Sequence, residues 1–338
     1  MSTQNAHAFI RRLTAATVPS RRYDRTQPFD AWQAATYQKL EELLGLPLQK
    51  GSDDIHIVRE TAEKGFTRTD FTFESEPGYE ASAAFLRPAG AQGALPVVIC
   101  LQGHSTGMHI SLGEPQYEKD AQSIAGGRDF ALQAVRNGYC AAVLEQRYMG
   151  TAGHGEGGKP SCQTDNESMA TLMLGRTSIG ERVWDVSRLI DMLCLHFASA
   201  VDPARIACMG NSGGGTTTYY AACMDQRIHL AIPSCSVSTY DSSIMAMHHC
   251  PCNFIPHIRR YYDMGDLGGL IAPRPLIVVC GQQDRIFPID GVRECFARIR
   301  SLYDAHGSAG ECLLVEGTEG HRFYPDEAWP LIRRILGT

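Results

Sequence analysis

The sequence lacks any long apolar run. No stretch approaches the length needed to cross a bilayer, and the opening MSTQNAHAFIRRLTAATVPSRR has no apolar core of the signal-peptide kind. A cytoplasmic location is the resulting expectation. Long runs of like charge are also missing. With 31 basic and 37 acidic side chains the net charge is -6, and lysine and arginine form no stripe. Nucleic acid and anionic membrane surfaces are therefore poor candidate partners. Internal repeats and low-complexity segments are absent, which argues against solenoid and linker-rich architectures. The twelve cysteines are scattered, and Cys100, Cys140, Cys208 and Cys280 sit inside apolar runs. They read as reduced thiols acting as small core hydrophobes rather than as a disulfide framework. In such a location the sequon Asn166-Glu167-Ser168 loses its meaning.

What is present describes an α/β protein. Residues 1–60 look helical and polar, with helical apolar spacing over Phe29 to Leu44, and form an expected N-terminal helical extension. Residues 61–338 form the expected catalytic domain. Strands are predicted at Thr67–Phe73 and Ala81–Leu86 around the turn Glu76-Pro77-Gly78. Short apolar runs then alternate with helix-length segments: Pro96–Leu101, Ala141–Leu144, Arg205–Met209, Leu230–Ile232, Pro275–Cys280 and Glu311–Val315. Arg182 to His196 is one intervening helix. Continuous apolar strands separated by helices predict a mostly parallel central sheet covered by helices on both faces. The intervals 103–128, 150–177 and 236–272 exceed ordinary loop length and follow strand ends, where such a sheet places its ligand. Pocket walls are expected from Met108–Tyr117, Met149–Thr164 and Tyr240–Ile258.

The sharpest chemical signal is the run Ile206 to Gly215, which contains Gly210-Asn211-Ser212-Gly213-Gly214. An apolar strand leads into Gly-x-Ser-x-Gly, and a helix-compatible run follows. A serine on so tight a strand-to-helix turn needs neighbours without bulky Cβ groups. The turn would lift Oγ above the sheet and aim helix N-terminal N–H groups at a reacting carbonyl. A dinucleotide-binding reading of the same glycines fails, because that fingerprint belongs near the first strand of a βαβ unit.

A serine nucleophile needs a base, and the base an orienting acid, following it in the order acid then histidine. Asp284 lies just beyond the strand Pro275–Cys280. His321 lies on a Gly-bracketed loop beyond the strand Glu311–Val315. The expected catalytic set is therefore Ser212, Asp284 and His321. Glu319 is an alternate acid, while Asp290, Asp304, Asp326 and His306 do not directly follow a strand. The oxyanion hole is assigned to the backbone N–H groups of Gly213 and His104, with Ser105 as fallback. His248-His249-Cys250-Pro251-Cys252 has no second Cys/His pair at zinc-like spacing, and His257 does not complete one. A structural or pocket-lining role is expected there, with no metal and no organic cofactor.

These residues carry a family resemblance that extends over roughly residues 60–338. The chain resembles the bacterial acetyl xylan esterase-like branch of the α/β-hydrolases, related to dienelactone hydrolase-type enzymes. The carriers are Leu174-Gly175-Arg176 with Gly180 to Asp191, Gly210–Gly215, His249-Cys250-Pro251-Cys252-Asn253, Asp266 through Pro275, Gly281–Pro288 and Gly320-His321. The resemblance implies the α/β-hydrolase fold and a serine esterase acting on carboxylic esters. Without a signal segment, acetyl esters of small carbohydrates are expected in place of polymeric xylan. A peptidase, amidase, thioesterase or lactonase on the same fold is the alternative, as is a non-catalytic binding protein. The expected partner is a small-molecule ester, and a homo-oligomer is compatible with the sequence.

Overall fold

The computed structural model describes residues 5–153 and 166–337. Its sheet has nine strands in the order β1-β2-β3-β5-β4-β6-β7-β8-β9. They are β1 (Ile55–Glu63), β2 (Phe66–Glu76), β3 (Tyr79–Pro88), β4 (Leu95–Leu101), β5 (Cys140–Leu144), β6 (Val201–Asn211), β7 (Ile228–Ser234), β8 (Leu276–Gly281) and β9 (Cys312–Gly317). The pairs from β5 through β9 are parallel, while β1, β2 and β3 join antiparallel at one side. The predicted strands are all found. β1 was not expected, and its chain is largely exposed. It interrupts the boundary drawn at residue 60, because the sheet begins at Ile55.

The alternation of side chains along a strand explains why these runs read as continuously apolar. On β4, Val97, Ile99 and Leu101 enter one core while Val98 and Cys100 enter the other. On β6, Ile206 and Cys208 part from Ala207 and Met209 in the same way. Both faces are covered, so every position must be apolar. The first face carries α2 (Phe29–Leu44), α4 (Ser178–His196), α5 (Gly213–Met224) and α6 (Ile289–His306); the second carries α3 (Phe130–Arg136) and α7 (Pro325–Leu336). Burying each large aliphatic side chain contributes about 1.5–3 kcal/mol. Truncating Ile99, fully buried between the layers, to alanine would cost about 2–5 kcal/mol.

The N-terminal extension consists of α1 (Ala6–Ala16), whose residues are all at least partly exposed, and α2. On α2 the apolar stripe Trp32, Leu40 and Leu44 is buried, and Gly45 in the left-handed region ends the helix. Helix α4 is capped by Thr177, whose Oγ accepts from the Gly180 N–H at 2.9 Å. No helix among the described residues is long and apolar enough to cross a membrane.

Candidate active site

Strand β6 delivers Ser212 to the start of α5. Ser212 has φ 80° and ψ -113°, a conformation that costs a residue with a Cβ. Two backbone bonds hold it there. Its N–H donates to the Ser234 carbonyl at 2.9 Å, and its own carbonyl accepts from the Thr216 N–H at 2.8 Å. The flanking glycines are required by space: a Cβ on Gly210 would lie 2.5 Å from the Gly214 carbonyl, and one on Gly214 would fall on the Leu101 carbonyl. Across this turn runs the segment after β4. A Cβ on Gly103 would lie 2.9 Å from Ser212 Cβ, so Gln102–His104 passes directly beside the serine.

Strands β8 and β9 deliver the other two residues. The loops after them are stitched together, with Gln282 N–H donating to the Gly317 carbonyl and Gln283 N–H to the Glu319 carbonyl, both at 2.8 Å. His321 Nδ1 consequently sits 2.7 Å from Asp284 Oδ2. The other carboxylate oxygen accepts from the N–H groups of Ile286 (2.8 Å) and Phe287 (3.2 Å). Burial alone would raise the Asp284 pKa; the His321 bond and charge, with those two N–H groups, outweigh it and hold the carboxyl below its usual range. An ionised Asp284 fixes the proton on Nδ1 and leaves the Nε2 lone pair free. The Phe287 ring stacks on the imidazole at 6.0 Å between centroids.

Ser212, Gly213, His104 and His321 line one cavity of about 280 Å³, with Asp284 behind the imidazole. Glu319 is turned away and pairs with Arg322 at 2.8 Å. Asp304 pairs with Arg25, and His306 packs edge-on against Phe29. Asp290 and Asp326 lie in the first turns of α6 and α7. The His104 ring packs against Gly213, and its Nε2 lies 3.2 Å from Cys252 Sγ. Burial would raise the Cys252 thiol, yet Arg182 and His104 together bring it down to about 6.

The segment around Cys250 forms the facing wall through His248, His249, Cys250 and Asn253. Ser243 Oγ donates to the Ile286 carbonyl at 2.7 Å, so His249 Nε2, 3.0 Å away, must donate to it. Burial and the neighbouring His104, His248 and His321 push His249 down to about 4. His104, Cys250 and Cys252 place ligand atoms within 4.8 Å of one another. Cys250, however, is disulfide-bonded, which removes its thiolate from any ligand set. The expectation of reduced thiols thus holds for the buried Cys100, Cys140, Cys208 and Cys280 but not for this wall residue.

One expectation about the walls changes. The cavity lining takes nothing from Met108–Tyr117, because that turn folds back on its own partners: the Met108 N–H donates to the Glu145 carboxylate, and His109 binds Asp120 at 2.8 Å. Its place is taken by Arg128, which carried no sequence signal. Residues 154–164 of the expected wall Met149–Thr164 lie outside the described residues.

Beneath the site lies a buried ion network. The Arg147 guanidinium grips Asp185 through two bonds of 2.7 and 2.8 Å, contacts Glu76 at 2.5 Å and lies 3.9 Å over the Tyr79 ring. Arg176 joins Glu76 to Glu181, and Tyr148 donates to Glu181 at 2.6 Å. The network ties the end of β2 and the segment after β5 to α4. Glu145, also buried after β5, is raised by burial to about 7, although N–H donors from Met108 and Thr151 oppose the shift.

A doubly covered sheet with a serine on the turn after a central strand defines an α/β-hydrolase. The chain belongs to the Abhydrolase family, whose model matches residues 6–299. It is 24% identical to YtaP of Bacillus subtilis (strain 168), a protein named as a hydrolase, over 72% of this chain and 79% of that one. It is 28% identical to a 4-O-methyl-glucuronoyl methylesterase of Phanerochaete carnosa (strain HHB-10118-sp), over 44% of this chain and 43% of the relative. Among solved structures, a Bacteroides fragilis protein described as an acetyl xylan esterase superposes with TM-score 0.81 at 16% identity, covering 99% and 96% of the two chains. A glucuronoyl esterase from Solibacter usitatus gives TM-score 0.67 at 15% identity, covering 94% and 96%. At those identities the structural matches establish the fold, which is the one the family resemblance implied.

Proposed function

We propose that the protein is a serine esterase in which Ser212, His321 and Asp284 carry out two-step acyl transfer. The observation that carries this reading is the Ser212 backbone at φ 80° on a strand-to-helix turn, in the cavity that also receives the Asp284-bound imidazole. His321 Nε2 takes the proton from Ser212 Oγ as it attacks the ester carbonyl. Asp284 keeps the ring in the required tautomer and stabilises the imidazolium. The N–H groups of Gly213 and His104 receive the oxyanion. The alcohol leaves with the proton from His321, and water then releases the acid from Ser212 by the same steps. None of these steps calls for a metal or an organic cofactor.

Carbohydrate esters are the proposed substrates, with acetyl esters of small sugars first. The names of the relatives support sugar esters. The glucuronoyl methylesterase among them favours a second reading, in which the sugar supplies the acyl half and methanol leaves. Initial rates on acetylated sugars and on methyl uronates separate the two by their product, acetate or methanol. A fluorophosphonate probe should label Ser212, and Ser212→Ala should abolish both labelling and turnover while keeping the fold. Folded protein that fails to label would revive the non-catalytic reading. Near wild-type turnover in Ser212→Ala would refute the proposal outright.

A further inference from the structure

We infer that Arg128 anchors a second, ionised carboxylate on the substrate, so that the ester this cavity takes is an anionic one. The inference rests on the serine-esterase reading and narrows its substrates to esters that also carry a free carboxylate, as an acetylated sugar acid does and a neutral acetylated sugar does not.

Arg128 is held on both sides of the site. Its carbonyl accepts from buried Gln102 Nε2 at 2.8 Å, at the end of β4. Its Nη2 donates to the His321 carbonyl at 3.3 Å. The side chain lines the cavity together with Ser212 and Gly213. No carboxylate among the described residues forms an ion pair with it. The adjacent Asp129 is engaged by Gln133 at 2.6 Å and by Arg136 at 2.9 Å. Asp284 is committed to His321 and two backbone N–H groups.

Two other arginines show what a structural guanidinium looks like here. Arg147 is clamped by Asp185 and Glu76, and Arg274 donates to the carbonyls of Asp225, Ile228, Ala222 and Leu270. Arg128 spends one side-chain donor on the His321 carbonyl and lines the cavity. Burial lowers its pKa, but a guanidinium keeps its charge at any physiological pH. A partly desolvated cation with no counter-ion among the described residues is an unfavourable arrangement that a ligand anion would relieve. The described lining has no acid to compete: its ionisable side chains are Arg128, His104, His248, His249 and His321, and Cys250 is held in a disulfide. Arg128 is thus the one permanent charge of the described lining, in a chain whose net charge is -6. The planar fork of a guanidinium matches a carboxylate through two parallel bonds, which favours a carboxylate over a single-point anion.

The test compares isosteric acid and amide esters in wild type, Arg128→Gln and Arg128→Lys. para-Acetoxybenzoate against para-acetoxybenzamide places the anion on the alcohol half. Monomethyl adipate against the methyl ester of adipamic acid places it on the acyl half. In wild type one pair should favour its carboxylate by about 10-fold or more in kcat/KM. Arg128→Gln should bring that ratio to about one through KM, and Arg128→Lys should restore part of it. A purely structural role for the Arg128–His321 bond would lower both members of a pair alike and leave the ratio intact, which would overturn the inference. A wild-type ratio near one in both pairs would also overturn it, and so would stronger preference for para-acetoxyphenyl phosphate. If no ester were turned over, the esterase reading would fall by itself. Calorimetry with adipate would then decide on Arg128: weaker binding by about 10-fold in Arg128→Gln supports the anchor, and equal binding refutes it.

Discussion

Replacing Ser212 by glycine should stabilise the protein relative to replacing it by alanine, although both changes remove the proposed nucleophile. At φ 80° and ψ -113° a side chain with a Cβ is held in a sparsely populated conformation. Such a residue costs about 1–3 kcal/mol, while glycine in exchange loses about 0.5–1 kcal/mol of chain entropy on folding. Taking the middle of each range leaves glycine ahead of alanine by about 1 kcal/mol, or about 2 °C in Tm for a chain of this size. Using alanine as the reference cancels the loss of Oγ. Equilibrium urea unfolding of both variants, with the slopes compared, gives the difference directly. If Ser212→Gly is no more stable than Ser212→Ala at equal slope, the turn is not strained and the argument fails. Strain at the residue with proposed chemistry would mean that the fold positions Oγ at the expense of its own stability.

The remaining expectations concern the acids around the site. Asp284→Asn should leave the fold intact but lower kcat by about 10³-fold or more, because the imidazole loses its tautomer control; steady-state kinetics check it. Glu145 should make stability depend on pH with a definite sign. Folded, it holds its proton up to about 7, against 4.5 unfolded, so stability falls as pH rises through that window, by about 3 kcal/mol in total. Glu145→Gln should flatten the profile in unfolding experiments at pH 5, 7 and 8. Arg147→Met should cost about 3–5 kcal/mol in unfolding free energy by stranding Asp185 and Glu76, and Arg147→Lys should recover only part of it.

How much of this was legible in the sequence follows from what each feature needs locally. The runs at β4, β6 and β8 are apolar at every position because both faces of the sheet are buried, and that texture survives without coordinates. The turn at Ser212 is legible because Gly210 and Gly214 admit no Cβ. Strand β1 was missed because its solvent-facing chain, with Arg59, Glu60 and Glu63, has neither alternation nor an apolar run. Arg128 lies in a long segment without periodicity, and what singles it out, the lack of an ion-paired acid among the described residues, exists only in three dimensions. The Arg147 network likewise joins β2 to α4 across long sequence separations, so no window of sequence could display it. Positions set by strand ends were readable; partners set by packing were not.

The antiparallel margin of the sheet has a consequence for solubility. β1 is an outer strand with Ile57 and Val58 exposed, the sort of border onto which a second polypeptide can add by main-chain pairing. Its register slips between Ile57 and Arg59, so the row of free amides is broken at that apolar point. Beyond the slip the strand carries Arg59, Glu60 and Glu63, which an incoming chain would have to desolvate. An irregularity of one residue, followed by charge, thus guards the sheet against growth from its open side.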